Sequence, residues 1–328
     1  MSALPVLLSR LGVLGLSLLA CGCTEPDVSA VRATTAPGEA PCMLAGTQIP
    51  LLGGPGDSPL VAVTLHGQPA AMFFSPGFAP VLFRRNGGLW FPHGRTTDLQ
   101  TQDGGYNTVW DTHLRDFAIG PLEPAPIDGL VLPGRETRSV DGRPIIGVVG
   151  RDALVDDAVV DLDIPRRRVV LAVLRKPRCP AYRRLLDGSP MQMRRDLLSV
   201  MVSVNGHAVR AVLEPDLPVS VIPTPLAAGL GVADEGGHSV RTEYGARVRG
   251  RRERVALLAI GETRLHDVAF DVEDGVDQVM LGLDIFARGE AVFDFEAGQF
   301  WFHLLTDHAP PPTGLHFNET RVAHTAVQ

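Results

Sequence analysis

The chain has 328 residues, 45% of them hydrophobic and 20% charged, with 35 glycines and 27 prolines. That composition supplies a sizeable core and abundant turn residues, which favours a turn-rich β protein over a helical bundle or a disordered chain. A formal charge of −7 gives no sign of the basic surface that counterion release from nucleic acid requires, so no nucleic acid is expected as a partner.

At the N-terminus, Arg10 precedes a mostly apolar run from Leu11 to Ala20, broken by Ser17. The run is too short to span a bilayer and the right length for a signal-peptide core, so residues 1–20 are expected to be a leader. Leu18-Leu19-Ala20-Cys21 resembles the lipobox of bacterial lipoproteins. That resemblance implies cleavage before Cys21, lipidation of Cys21, and a protein held on the periplasmic face of a bacterial membrane by its acyl chains. An ordinary signal peptide cut nearby is the simpler alternative.

Cysteine parity leaves the anchor open. With Cys21 lipidated, Cys23, Cys42 and Cys179 remain and one is unpaired; with Cys23 as anchor, Cys42 and Cys179 are an even pair. A disulfide between Cys42 and Cys179 is permitted in an oxidising compartment, with two free thiols as the alternative. Residues 21–41 are polar and rich in Ala, Thr and Pro, the composition of a tether.

From there the chain repeats itself. Val61 to Phe83 aligns without gaps on Val200 to Ile222, and each copy alternates, turns at His66-Gly67 or Asn205-Gly206, and returns as an apolar strand. Asn-Gly between alternating apolar runs is a strong hairpin signal. Downstream, Phe117 to Gly120 matches Leu258 to Gly261, Gly147 to Asp152 matches Met280 to Asp284, and Val159 to Asp163 matches Ala291 to Phe295. Two copies in one order make two homologous lobes, 42–178 and 197–307, with a connector at 179–196 and a loose tail at 308–328. The connector holds the only plausible helical stretches, Tyr182 to Leu186 and Met191 to Leu198. Elsewhere short strands separated by Gly, Pro and Asp clusters predict an all-β protein of two β-barrel lobes.

In this order the repeat resembles the retropepsin and pepsin group of aspartic peptidases, whose lobes each carry an apolar hairpin, an Asp-Thr/Ser-Gly turn, a flap hairpin, and an apolar-apolar-Gly run into a short helix. The resemblance implies two lobes related by a pseudo-twofold axis that brings two carboxylates together to share a proton, one acting as general base on water. Here the turns read Ser75-Pro76-Gly77 and Glu214-Pro215-Asp216, so Ser75 and Glu214 stand where the family has its aspartates. Ser75 does not ionise in a carboxylate's range, Glu214 is one methylene too long, both prolines remove a donor, and Asp216 replaces the turn glycine.

The expectation is therefore an inactive pseudopeptidase whose inter-lobe cleft binds an extended peptide or protein segment, with an aspartic endopeptidase built on Glu214 as the alternative. Gly77, Asp216, Tyr106 and Trp110 are the candidate binding residues, the last two from the predicted flap. Glu214 and Asp216 could form a carboxylate pair or a metal site, but a solvated loop is the simpler reading. Asp111-Thr112 imitates the signature by chance, on the flap-return strand. Asp152 and Asp284 are expected to cap short helices. Arg247, Arg249 and Arg251, with Arg252 and Arg254, either grip a ligand or form a solvated face. No cofactor or metal is expected, and a monomer is.

Overall fold

The computed structural model describes residues 43–100, 106–154, 158–174, 188–195, 197–243, 246–274, 276–313 and 315–316. Cys21, Cys42 and Cys179 lie outside them, as do the expected leader and tether.

The first half runs through β1 (Met43–Leu52), β2 (Leu60–Leu65), β3 (Gln68–Phe74), β4 (Leu82–Arg85), β5 (Thr96–Gln100) and β6 (Tyr106–Ile119). It continues with β7 (Ala125–Arg135), β8 (Ser139–Val140), β9 (Arg143–Val149), a 3-10 turn (Arg151–Ala153), β10 (Ala158–Asp163) and β11 (Arg168–Leu174). The second half has β12 (Met191–Gln192), β13 (Ser199–Val204), β14 (His207–Leu213), β15 (Val221–Pro223), α1 (Thr224–Ala227), β16 (Ala233–Glu243) and β17 (Ala246–Ile260). It closes with β18 (Thr263–Glu273), β19 (Val279–Leu281), α2 (Leu283–Phe286), β20 (Gly289–Asp294) and β21 (Gln299–Leu304).

Each lobe is a closed six-stranded barrel. The first runs β2-β3-β9-β4-β7-β6 and is sealed by β2 against β6; the second runs β13-β14-β19-β15-β18-β17 and is sealed by β13 against β17. The duplicated hairpins turn as the sequence predicts: His66 and Asn205 sit at φ 51° and 48°, and the following Gly67 and Gly206 at 72° and 86°. Two successive positive φ values match the right-handed twist of the flanking strands.

A third layer joins the lobes. Strands β12, β21, β20, β10, β11 and β1 form an antiparallel platform, with β10 of the first half paired to β20 of the second, Val160 opposite Phe293. Alternation then sorts the side chains of β3: Ala70, Met72 and Phe74 face the main core, while Ala71 and Phe73 face a separate cluster outside the barrel. No helix among the described residues is long and apolar enough to cross a membrane.

The connector's predicted helical stretch Tyr182 to Leu186 lies outside the described residues, and the described part of Met191 to Leu198 is not helical. Met191 and Gln192 extend the platform edge opposite Phe300 and Gln299, and Arg194 bridges to Ser199. Met193 is buried against the main core, so the free edge of β21 and an apolar side chain outweigh local helix propensity.

Candidate functional site

Both suspected turns sit between a barrel hairpin and a parallel neighbour, and they are built bond for bond alike. In the first lobe β3 runs parallel to β9, with Phe74 beside Val149; in the second β14 runs parallel to β19, with Leu213 beside Leu281. Ser75 N donates to Val149 O at 3.0 Å and Glu214 N to Leu281 O at 2.9 Å. Phe78 N then donates to Ser75 O, as Leu217 N does to Glu214 O, and Arg151 N and Leu283 N close the pattern on Phe78 O and Leu217 O. Ser75 and Glu214 are thus structural equivalents across the pseudo-twofold axis, as are Gly77 and Asp216.

The turns touch. A β-carbon added to Gly77 would come within 2.1 Å of Leu213 O and 3.1 Å of Glu214 Oε2, so only glycine lets the first turn lie against the second. Its counterpart Asp216 instead reaches across the axis, and Ser75 Oγ donates to Asp216 Oδ1 at 2.6 Å. Behind it, Ser58 Oγ donates to Asp216 O at 2.7 Å. The simpler reading of Glu214 and Asp216 as a solvated loop is corrected: they are 3% and 0% exposed, and Ser75 is 0% exposed. Contact with the opposite lobe covers what would otherwise be an open turn.

Burial, opposed by the Ser75 hydrogen bond, pushes the Asp216 carboxyl up to about 6. Asp216 Oδ2 is also buried and has no hydrogen-bond partner among the described residues. A peptidase dyad needs two carboxyls sharing one proton around an accessible water. Here one of the two equivalent positions is a hydroxyl whose proton is committed to Asp216.

The second turn is braced from below by Asp284. Its Oδ1 accepts from Ser220 N at 2.9 Å and Ser220 Oγ at 2.7 Å, and Ser220 Oγ accepts from Gly282 N at 2.9 Å. Asp284 Oδ1, expected to cap the start of α2, is thus spent on Ser220, and the N-cap residues of the Arg151–Ala153 turn and of α2 are glycines, Gly150 and Gly282. Burial holds the Asp284 carboxyl raised, to about 6.

In the flap hairpin β5–β6, Tyr106 pairs with Gln100; its side chain and residues 101–105 lie outside the described set. Trp110 leans on the barrel core and stacks on His93, centroids 4.5 Å apart. Asp111 and Thr112 fall on β6, the flap-return strand. In the second lobe Arg251 pairs with Glu253, Arg252 with Asp271 at 3.1 Å, and Arg254 donates to Asp267 O at 3.2 Å. These arginines are engaged with their own sheet. The side chains of Arg247 and Arg249 lie outside the described set. Among the described residues no three His, Cys, Asp or Glu side chains converge as a metal site. A cavity of about 750 Å³ on the flank of the first lobe, between β6, β7 and the 3-10 turn, includes none of Ser75, Glu214 or Asp216.

Sequence reading missed Ser58 and His316, which meet at the back of the Asp216 turn. Neither lies in a motif, and their contact spans the whole folded chain. Residues 200–285 match the family described as Aspartyl protease, a span running from β13 through the Glu214 turn to α2. Two closed barrels joined by a shared platform fit the two-lobed aspartic-peptidase architecture. No curated protein matches the chain.

Proposed function

We propose that this aspartic-peptidase-like protein is a non-catalytic binding protein that holds an extended peptide or protein segment between its lobes. The observation that carries this reading is the 2.6 Å bond from Ser75 to Asp216, which occupies the centre of the site with a buried inter-lobe fastening. A buried carboxyl held by a neighbouring hydroxyl is not placed as the general base of a shared-proton dyad, while an inter-lobe site can still take a strand through main-chain hydrogen bonds. The Leu18 to Cys21 sequence supports export and tethering through Cys21 on the periplasmic side of a membrane, with residues 21–41 as spacer. The runner-up, an endopeptidase using Glu214, draws on the nearness of two buried carboxyls in one turn.

Binding is tested by titrating a pool of extended peptides, up to about 1 mM to cover weak affinities, against the folded chain and following its thermal midpoint. Saturable stabilisation is expected, with backbone N-methylated peptides giving none. A folded chain whose midpoint responds to no peptide would overturn the binding reading.

A further inference from the structure

The C-terminal stretch was expected to be a loose tail, yet its described residues return from the platform to the first lobe. Thr313 N donates to Gly56 O at 3.0 Å, and Ser58 N donates to Leu315 O at 3.1 Å. Pro311 O lies so close to Gly56 that a β-carbon there would meet it at 2.1 Å. Thr313 Oγ1 also donates to Asp57 Oδ1. Arg138 Nη1 donates to His316 O at 2.5 Å, and its guanidinium lies 5.6 Å from the centre of the Phe73 ring.

What this segment covers is the wall beside the Ser75 turn. Leu315 packs against the cluster that contains Leu60, Phe73, Phe78, Leu82, Val140 and Val148. The second lobe has the equivalent cluster, with Val212, Leu217, Val221 and Met280 at the positions of Phe73, Phe78, Leu82 and Val148. Each cluster lies outside its barrel, on the strand face that flanks its turn, so the two are matching walls of the inter-lobe site. In the second lobe Leu197 packs there; in the first, Leu315 comes from the far end of the chain.

His316 makes the link to the turn itself. It is 7% exposed, and Nδ1 lies 2.8 Å from Ser58 Oγ. Ser58 spends its hydroxyl proton on Asp216 O, so neutral His316 must donate from Nδ1. Burial holds the imidazole below its ordinary range, consistent with that neutral form. The segment thus presents an apolar side chain to the wall, a hydrogen-bonding side chain to the turn, and main-chain groups to Gly56, Ser58 and Arg138. These are the contacts an extended peptide ligand makes.

We infer that Pro311–Thr313 together with Leu315 and His316 is the resident ligand of the first-lobe wall. This rests on the reading of the inter-lobe site as a peptide groove and specifies its ligand class: a neutral, extended segment with an aliphatic side chain followed by a hydrogen-bond donor. A partner segment enters by displacing the chain's own end.

The test uses the full chain, a full-length Leu315→Asp variant and a chain ending after Ala309. The probes are a labelled peptide with the sequence of residues 309–316 and a pool of unrelated extended peptides. A tethered segment competes at an effective concentration on the order of 1 mM, so a peptide of roughly 10 μM affinity should bind the wild type about a hundredfold more weakly than either released chain. Circular dichroism verifies that each chain is folded, and the shortened chain serves if the aspartate variant is not. Equal affinity in all three chains overturns the inference. So does a released chain that binds pool members but not its own segment, an outcome that leaves the groove reading intact. A released chain that binds its own segment and no other peptide upholds the inference and removes capture of a partner as the function. Folded released chains that bind neither probe overturn both.

Discussion

Replacing Asp216 by asparagine isolates the cost of holding a carboxyl between the lobes. The side chain is 0% exposed, and its carboxyl moves from 3.8 to about 6 because burial penalises the charge more than Ser75 relieves it. Below pH 3.8 the group is neutral in both folded and unfolded chains and costs nothing. Between there and about 6 the unfolded chain gives up its proton while the folded chain keeps it, so stability falls as pH rises. Above about 6 the penalty is complete, and at about 1.4 kcal/mol per pH unit it amounts to about 3 kcal/mol. Asparagine keeps an oxygen for Ser75 and cannot ionise, so its cost is the same at every pH. Urea unfolding of both chains from pH 4 to 7.5 should show Asp216→Asn gaining on the wild type by about 3 kcal/mol across that range. Taking the difference cancels the other raised carboxyls, Asp284 and Asp161. A difference that stays flat would refute a buried carboxyl with a raised titration range.

Three further substitutions probe the same region. Ser75→Ala leaves Asp216 Oδ1 buried without its donor, and equilibrium unfolding should register a loss of about 1–3 kcal/mol, larger at pH 7.5 than at pH 4.5. Gly77→Ala drives a β-carbon into Leu213 O, backbone that cannot step aside, and should cost about 3 kcal/mol in the same measurement. Ser220→Ala takes the acceptor from Gly282 N and one donor from Asp284, for an expected loss of about 2 kcal/mol in denaturant melts.

The duplicated hairpins were legible because each carries its own period-two alternation and its own turn residues. Val61 to Phe83 and Val200 to Ile222 therefore revealed both barrels and both turns in register. Long-range approach was not legible. The i, i+2 rule places Glu214 and Asp216 on one side of an extended segment but carries no sign that Asp216 reaches Ser75, 141 positions away. His316 joining Ser58 across 258 positions leaves no local trace, and a proline-rich end looks loose until Leu315 is seen to have a wall to pack on. The connector failed differently: local propensity favoured helix at Met191, and an open strand edge at β21 claimed it.

Cleavage of a broad peptide library by the folded chain from about pH 3 to 7, the range over which carboxylates titrate, tests the central claim most directly. The account predicts no cleavage at any pH, in the wild type or in Glu214→Ala and Asp216→Asn. Cleavage by the wild type that either substitution abolishes would contradict it and make the Glu214 turn a working peptidase site.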